Sequence, residues 1–376
     1  MEKPSRAFRW YRVAATALCF VLAYYYTYAL WRSLHHAPSL DFVSYWSAGR
    51  LALAGNPAGA YNDAVHYALE RTVSTLNEGV QPFPYPPPFL LMVAPFAMAA
   101  FPVGFGIWLI ATIGLFVWAV WRIAPWPWTF CLPAAHMNTL VGQNGFLTSA
   151  IFAGGTALLE TQPFLAGAVL GALIIKPQLA LMLPVAVIAS RNWKAVSGAV
   201  ISAMGLLLIA LAAFGPATYT AFFAYLPGHS QTVATDVPLY KLASVCAALL
   251  FFDAPMWIAL TTQGAVALGA AVATWIAWSR DLPTKVPILA AATLLAPPYL
   301  FGYDALLLML PLGWLIRHER QPITVALIWL LCLLPLAAGT VFYPGPNTIP
   351  LAAALSVWAM FGEARAQAAE VSSHPA

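Results

Sequence analysis

Charged residues are scarce in this 376-residue chain, where Asp, Glu, Lys and Arg make up only 8% of the sequence. Hydrophobic residues make up 61%, and the mean hydropathy is +0.77. So few charged side chains cannot cover the surface of a soluble globule. The composition therefore excludes an ordinary soluble domain and predicts an all-α polytopic membrane protein.

Several signals of other function classes are also missing. The net charge is +4, but the basic residues stand singly and form no stripe with aromatic residues, which argues against nucleic acid as a partner. The sequence contains no Asp-x-Asp motif, no glycine loop for phosphate and no metal-ligand spacing, so we predict neither a metal nor another cofactor. The four cysteines lack Cys-x-x-Cys spacing, which favours packing over disulfides: Cys19, Cys131, Cys246 and Cys332.

The apolar segments predict about twelve transmembrane helices in a single domain of residues 1–376. Several segments are too short to cross a bilayer and are expected to be half-helices or re-entrant hairpins, most clearly 164–190. The tail of about 364–376 is predicted to be disordered. The predicted segments are 10–34, taken as a retained span and not a signal peptide, a broken helix within 89–121, 124–141, 146–160, 164–175, 179–190, 195–214, 256–279, 286–303, 304–317, 322–343 and 349–362.

The distribution of Lys and Arg predicts the orientation of the chain. Most of these residues precede the first span or occupy alternate polar breaks, which the positive-inside rule assigns to the cytoplasm. Two long segments, 35–87 and 215–255, then face the opposite side. The first is predicted to form short helices on the membrane, and residues 240–252 of the second are predicted to lie along its surface. The chemistry is therefore expected to face outward.

Short motifs follow one another in a specific order along the chain. In order and spacing they resemble glycosyltransferase family 87, from about residue 38 to about residue 320. The resemblance implies a GT-C-like bundle with an outer catalytic loop at 35–87, located in the bacterial inner (plasma) membrane and facing the periplasm. It also implies inverting transfer of a sugar, usually mannose, from a polyprenyl-phosphate donor to a glycan or glycolipid acceptor. The motifs are DFVSYWSAGRLALAGNPAGAYN, FPYPPPFLL, GQNGF, IIKPQ with the later RNWKA, and LFGYDALLL.

Asp41 is the predicted catalytic residue. Transfer to an acceptor hydroxyl needs a base, and a carboxylate at the bilayer edge beside aromatic residues is a suitable one. The family's proposed base also stands at this position of the motif. An alternative interpretation is that Asp41 caps the helix that begins after it. Both interpretations can hold at once.

Three further residues of the same motif are candidates for substrate contact. Arg50, nine residues after Asp41, is expected near the same helical face and would neutralise a donor phosphate; alternatively, it pairs with Asp41 or Glu70. Tyr45 and Trp46 could stack on a sugar face, although aromatic residues at a membrane interface often serve only as anchors.

Lys176 is an ionisable residue inside an apolar segment, directly before Pro177. Such a residue is a site candidate, and here the cation would meet the leaving polyprenyl phosphate. The alternative is that Lys176 extends to the outer interface. Gln143, followed by Asn144, marks a neighbouring outer turn that either contacts the sugar or is only a hydrogen-bonded turn.

Asp304 is a second acid within apolar sequence. It could hold an acceptor hydroxyl, orient the base or pair with Lys176, and the alternative is a helix cap. The family often has a histidine just before this Tyr-Asp pair, whereas this chain has Tyr299, Leu300 and Phe301 there. His229 in the second outer loop could substitute, or could simply be solvated. His136 is a candidate for a polar contact between helices.

Two other function classes compete with the transferase. A transporter or lipid flippase would also contain broken helices and buried charges, but it would be expected to show a two-fold repeat, and none is evident. A structural scaffold would tolerate replacement of the outer acid, arginine and lysine.

Overall fold

The computed structural model describes residues 41–73, 81–121, 123, 132–337 and 343–373, and scattered positions between 10 and 31. Its α-helices are α1 Phe42–Leu53, α2 Asp63–Glu70, α3 Pro88–Ala97, α4 Phe101–Val120, α5 Pro133–Val141, α6 Gly145–Leu158, α7 Pro163–Gly171, α8 Leu183–Ala189, α9 Trp193–Phe214, α10 Pro216–Asp236, α11 Val245–Phe251, α12 Met256–Ser279, α13 Lys285–Leu295, α14 Met309–Arg317, α15 Pro322–Leu333 and α16 Ile349–Ser373. Short 3-10 helices cover Pro57–Tyr61, Ala172–Ile175, Pro177–Ala180, Leu239–Lys241, Gly302–Leu308 and Leu334–Ala337.

Helix therefore dominates the described residues, whose extended pairing is a single bridge between Leu242 and Phe301. This confirms the all-α class. Among the described helices, α4, α9 and α12 are long and apolar enough to cross a membrane. Most of the others are shorter, so the number of about twelve crossings stays a prediction. The first predicted span, 10–34, is described only at scattered helical positions.

The two predicted helix breaks are present. The segment 89–121 divides into α3 and α4 at residues 98–100. Within 164–190, Lys176 separates two 3-10 helices and has a non-helical backbone, with φ −146° and ψ 72°. Pro177 follows it, and proline disfavours the helical conformation at the preceding residue. The break brings a lysine side chain into the interior at the end of a half-helix.

Helices α7 and α9 pack closely because glycines line their crossing. A Cβ on Gly167 would collide with the carbonyl oxygen of Ala195, and a Cβ on Gly198 would collide with that of Phe164. Small residues at helix crossings let two backbones approach each other in this way. Since α7 leads directly into the break at Lys176, this crossing helps to position the backbone of Lys176.

One predicted helix end and one predicted loop differ from the structure. The segment predicted as 286–303 ends at Leu295, because Pro297 and Pro298 follow and proline cannot continue a helix. The second outer loop, 215–255, contains the 21-residue helix α10, which polar residues had concealed. Residues 338–342 and 124–131 of two other predicted helices lie outside the described residues.

The predicted disorder after about residue 363 is wrong up to Ser373, where α16 ends. The stretch is rich in alanine, which has the highest helix propensity. Ion pairs also hold this stretch to the turn between α14 and α15, where Arg320 contacts Glu363 at 3.6 Å and Glu370 at 3.1 Å.

Two apolar clusters surround the polar residues of interest. One is aromatic and joins α1, α3 and α4, with Phe42, Phe89 and Trp108 fully buried. The other centres on α13, whose every residue from Pro287 to Leu295 is buried. The polar side chains described below come from turns and helix ends that adjoin these clusters.

Candidate active site

Asp41 directly precedes α1, at its N-cap position, but its side chain makes no capping hydrogen bond. Instead, Gln143 Nε2 donates to Asp41 Oδ2 at 2.6 Å. The two residues are 102 positions apart in the sequence. Asp41 is half-buried, so its carboxylate is held by a neighbouring amide while it remains partly accessible. This arrangement suits a base more than a cap.

A glycine turn places Gln143. Helix α5 ends at Val141, and Gly142 adopts the left-handed conformation with φ 72° that commonly ends helices. A Cβ on Gly142 would lie 2.7 Å from both Phe42 and Phe105, so only glycine fits between those rings. The carbonyl of Gly142 accepts a hydrogen bond from Trp108 Nε1 at 2.9 Å. The turn is thus locked against the aromatic cluster.

Two tyrosine hydroxyls complete the surroundings of Gln143. The Tyr45 hydroxyl donates to Gln143 Oε1 at 2.5 Å, and the Tyr85 hydroxyl lies 2.9 Å from that of Tyr45. Tyr45 is only 1% exposed, and its ring packs edge-on against Phe89 at 5.1 Å. The Tyr45 ring is therefore part of the core, and its stacking on a sugar stays a prediction. Tyr85 was missed, although it belongs to the quoted FPYPPPFLL motif.

Lys176 and Asp304 form a buried ion pair. Lys176 Nζ lies 2.5 Å from Asp304 Oδ1, and both side chains are almost fully buried. Lys176 Nζ also donates to Asn144 Oδ1 at 3.1 Å and lies 4.7 Å from the ring centre of Tyr303. Lys176 therefore does not extend to an interface; it is held in the interior by its partners.

Asp304 makes one of the contacts that the sequence left open, the pair with Lys176, and lies inside a 3-10 helix, not at its N-cap. Besides its pair with Lys176, its Oδ2 accepts a long hydrogen bond of 3.5 Å from the backbone N–H of Phe301. The much shorter contact to Lys176 dominates its environment. The segment carrying Asp304 is a 3-10 helix in which every residue is buried.

Asn138 connects the two halves of the site. Its Oδ1 accepts from the backbone N–H of Gly145 at 2.8 Å, and its Nδ2 donates to the carbonyl of Tyr303 at 2.9 Å. One fully buried amide therefore fixes both the Gln143–Asn144 turn and the segment that carries Asp304. Asp41, Gln143, Asn144, Lys176 and Asp304 form a row of polar side chains, in which the backbone N–H of Asn144 makes the link to Gln143 Oε1 at 3.4 Å.

Arg50 and Trp46 lie outside this row. Arg50 NH1 donates to the carbonyl of Ala97 at 3.4 Å, and its guanidinium lies 5.3 Å from the Trp46 ring. Trp46 is buried and donates to the carbonyl of Ala99 at 3.0 Å. The prediction that Arg50 shares a face with Asp41 is wrong, because nine residues at about 3.6 per turn end half a turn away. The predicted ion pair of Arg50 with Asp41 or Glu70 is not among its described contacts.

Comparison with known proteins decides the class of this site. The family model of glycosyltransferase family 87 matches residues 83–298, more than half of the chain. The chain belongs to glycosyltransferase family 87. Searches of curated proteins and of solved structures find no match.

Membership in family 87 makes the chain a membrane glycosyltransferase and confirms the predicted family and transferase class. The matched range contains Tyr85, Gln143 and Lys176. Asp41 and Asp304 lie on either side of it and reach the same site only through the fold. The matched and unmatched segments thus contribute to one arrangement of side chains.

Aromatic residues occupy the stretch where relatives in family 87 often have histidine. Phe301 stacks on Tyr303 at 5.3 Å, and Tyr299 packs edge-on against Phe301 at the same distance. His229, the predicted substitute, lies in α10 against Tyr225, at 5.6 Å between ring centres. Its described contacts do not join the row of polar side chains. His136 is buried in α5.

The described residues include no group of three His, Cys, Asp or Glu side chains arranged to hold a metal ion. The row itself supplies two carboxylates, two amides and an ammonium, and tyrosine hydroxyls lie beside it. A carboxylate can accept a proton, while an ammonium and amides can donate hydrogen bonds to developing negative charge.

Proposed function

We propose that this protein transfers a sugar, mannose in the first instance, from a polyprenyl-phosphate donor to a glycan or glycolipid acceptor at the outer face of the membrane. The observation that carries the proposal is the hydrogen bond from Gln143 Nε2 to Asp41 Oδ2, at one end of a polar row in a family 87 chain. A transporter or flippase is disfavoured by the same family membership.

In the proposed reaction, Asp41 takes the proton of the acceptor hydroxyl. The acceptor oxygen forms a bond to the anomeric carbon as the bond from that carbon to the phosphate oxygen breaks. The electron pair leaves with the polyprenyl phosphate, and attack opposite the leaving group inverts the anomeric centre. The hydrogen bond from Gln143 would hold the carboxylate toward the acceptor hydroxyl.

Lys176 is the proposed contact for the leaving phosphate. An ammonium has three N–H donors, and in Lys176 two of them bond to Asp304 and Asn144. In the proposal, the third donates to a phosphate oxygen. Asp304 compensates the buried charge of Lys176 when no phosphate is bound, since an unpaired ammonium in the interior is costly. Gln143 contributes by positioning the base, and Arg50 is the alternative phosphate contact.

The direct test is to incubate the purified full-length protein with radiolabelled polyprenyl-phosphate-mannose and a crude envelope extract. Label should move into a glycan or glycolipid fraction. Asp41→Asn keeps the size of the side chain but cannot accept the proton, so transfer should fall at least about 10²-fold. Asp253→Asn, at an exposed turn with φ 57°, is the matched control and should leave transfer unchanged. Near-normal transfer by Asp41→Asn would refute the assignment of the base.

A further inference from the structure

The structure contains a cavity whose lining does not include the residues of the polar row. It has a volume of about 1020 Å³ and is formed between residues 56–65 and helix α10. The side chains that matter for its chemistry are Asn56, Tyr61, Asp63, Tyr225, His229 and Asp236. Ligand pockets commonly measure about 300–1,000 Å³, so the cavity has room for a ligand of drug size or larger.

The charge of the lining argues against an anionic ligand. Two carboxylates, Asp63 and Asp236, line the cavity, and no Lys or Arg is among its described lining residues. A phosphate would meet repulsion here, so the cavity does not suit the phosphate of the donor. Carboxylates and the amide of Asn56 instead accept hydrogen bonds from hydroxyl groups.

The wall contributed by α10 is aromatic and carries an unsatisfied polar atom. Tyr225 and His229 stack at 5.6 Å with an angle of 19° between their planes, which gives two nearly parallel rings. His229 Nε2 is buried and has no hydrogen-bond partner among the described residues. A flat ring surface beside hydroxyl acceptors combines an apolar platform with polar groups, as a saccharide with both C–H and O–H groups requires.

A chain of hydrogen bonds links the wall of the cavity to the residues around Asp41. Tyr61 lines the cavity and donates its hydroxyl hydrogen bond to the carbonyl of Tyr85 at 2.8 Å. The Tyr85 hydroxyl in turn lies 3.4 Å from Gln143 Oε1, and Gln143 Nε2 donates to Asp41. Tyr61, Tyr85 and Gln143 therefore connect the cavity to the proposed base.

We infer that this cavity binds the non-reacting sugar units of a neutral glycan acceptor, at the part of its wall that Asp63, Tyr225 and His229 form together. The identification of the bound saccharide as the acceptor rests on the proposed function. The binding of a neutral saccharide at these residues stands on the cavity alone. The described lining of the cavity has no Lys or Arg, which distinguishes this site from the proposed phosphate contact at Lys176.

The test uses the full-length protein in lipid nanodiscs without donor. Neutral manno-, gluco- and galacto-oligosaccharides of two to four units, and matched sugar phosphates and uronic-acid oligomers, are screened by saturation-transfer NMR. At least one neutral oligosaccharide should bind, and the anionic ones should not. Asp63→Asn and Tyr225→Ala should each weaken binding at least tenfold, whereas the exposed Asp253→Asn should not change it. Tyr225→Phe, which keeps the ring, should retain part of the affinity and carries the test if Tyr225→Ala does not fold.

The inference is overturned if no neutral oligosaccharide binds, if anionic ones bind equally well, or if Asp63→Asn and Tyr225→Phe both bind like the wild type. Failure of the proposed function gives a different result. If Asp41→Asn transfers sugar normally while oligosaccharide binding still depends on Asp63, the base assignment fails and the saccharide site stands. If Asp41→Asn abolishes transfer but no oligosaccharide binds, only the saccharide site fails.

Discussion

Lys176 Nζ and Asp304 Oδ1 lie 2.5 Å apart although the residues are 128 positions apart in the sequence. Both side chains are buried, and Asn144 and the Tyr303 ring complete the surroundings of the ammonium. Pairing alone accounts for the burial of the two charges. Any role of Lys176 toward a phosphate must therefore be separated from its role in holding the fold.

The first prediction separates these roles by stability. Lys176→Met leaves Asp304 buried without a partner and should lower the free energy of unfolding by about 3–5 kcal/mol. Lys176→Met with Asp304→Leu removes both charges and should recover most of this loss. Unfolding of the detergent-solubilised protein measures both. A double variant that is no more stable than Lys176→Met would show that the ion pair is not the source of the loss.

Donor use in the same double variant addresses the phosphate. If Lys176 contacts the phosphate, the folded double variant should show a raised donor KM, and Lys176→Arg should restore donor use only in part because guanidinium is planar and larger. The labelled-donor assay measures both. An unchanged donor KM in the double variant would leave Lys176 with a structural role and make Arg50 the better phosphate candidate.

The second prediction concerns Gln143 as a positioning residue. Gln143→Leu keeps the volume but removes the hydrogen bond to Asp41, a bond to a charged group that is worth about 1.5–3 kcal/mol. Turnover at saturating donor should therefore fall by about 10- to 100-fold, with little change in donor KM. Tyr45→Phe, which removes only a hydroxyl next to the same amide, is the milder comparison. An unchanged turnover in Gln143→Leu would show that the amide does not orient the base.

The sequence predicted the individual residues of this site better than their partners. The Lys176 break followed from Pro177, and Asp41, Gln143 and Asp304 stood out as polar residues at the ends of apolar segments. The pair of Asp304 with Lys176 was one of the possibilities that the sequence left open. The contact of Gln143 with Asp41 was not predicted, because it depends on how helices distant in sequence pack. Tyr85 was missed because a tyrosine in a proline-rich apolar motif gives no signal of which way its hydroxyl points.

The errors have local causes of two kinds. Arg50 was predicted on the same helical face as Asp41. Nine residues at about 3.6 residues per turn make two and a half turns, so Arg50 lies on the opposite face. Helix α10 and the C-terminal part of α16 were missed because their polar composition was interpreted as a loop and as disorder. Polar residues are compatible with helix where ion pairs such as Arg320 with Glu370 hold the segment.

The third prediction tests the crossing of α7 and α9. Gly198→Ala places a methyl group against the carbonyl of Phe164, so it should destabilise the protein by about 1–3 kcal/mol through overpacking. A Cβ on Gly205, in the same helix, would meet no neighbouring atom within 4 Å, so Gly205→Ala should be neutral or stabilise by about 0.5–1 kcal/mol. Equal midpoints of thermal unfolding for the two variants would contradict the close crossing.

The fourth prediction concerns pH and His229. Burial lowers the pKa of His229, and nearby Asp63 only partly opposes this shift. The folded protein thus binds this proton less readily than the unfolded chain, whose histidine pKa is about 6.5. Lowering the pH through 6.5 should therefore cost stability, and His229→Gln should reduce that cost. Thermal unfolding at pH 7.5 and at pH 5.5 measures the loss of stability in the wild type and in His229→Gln. An equal loss in the two proteins would show that His229 does not contribute.

The last prediction concerns orientation, on which the outward position of the site depends. The distribution of Lys and Arg puts residues 41–73 outside and the turns at Lys194 and His318 inside. Ala68 is exposed, whereas Ala60 is 3% exposed and unsuitable for labelling. With the native cysteines replaced by alanine, Ala68→Cys in intact cells should react with an impermeant thiol reagent, whereas Lys194→Cys and His318→Cys should react only after permeabilisation. Labelling of His318→Cys but not Ala68→Cys would invert the topology and place Asp41, together with the lipid-linked donor, on the cytoplasmic side.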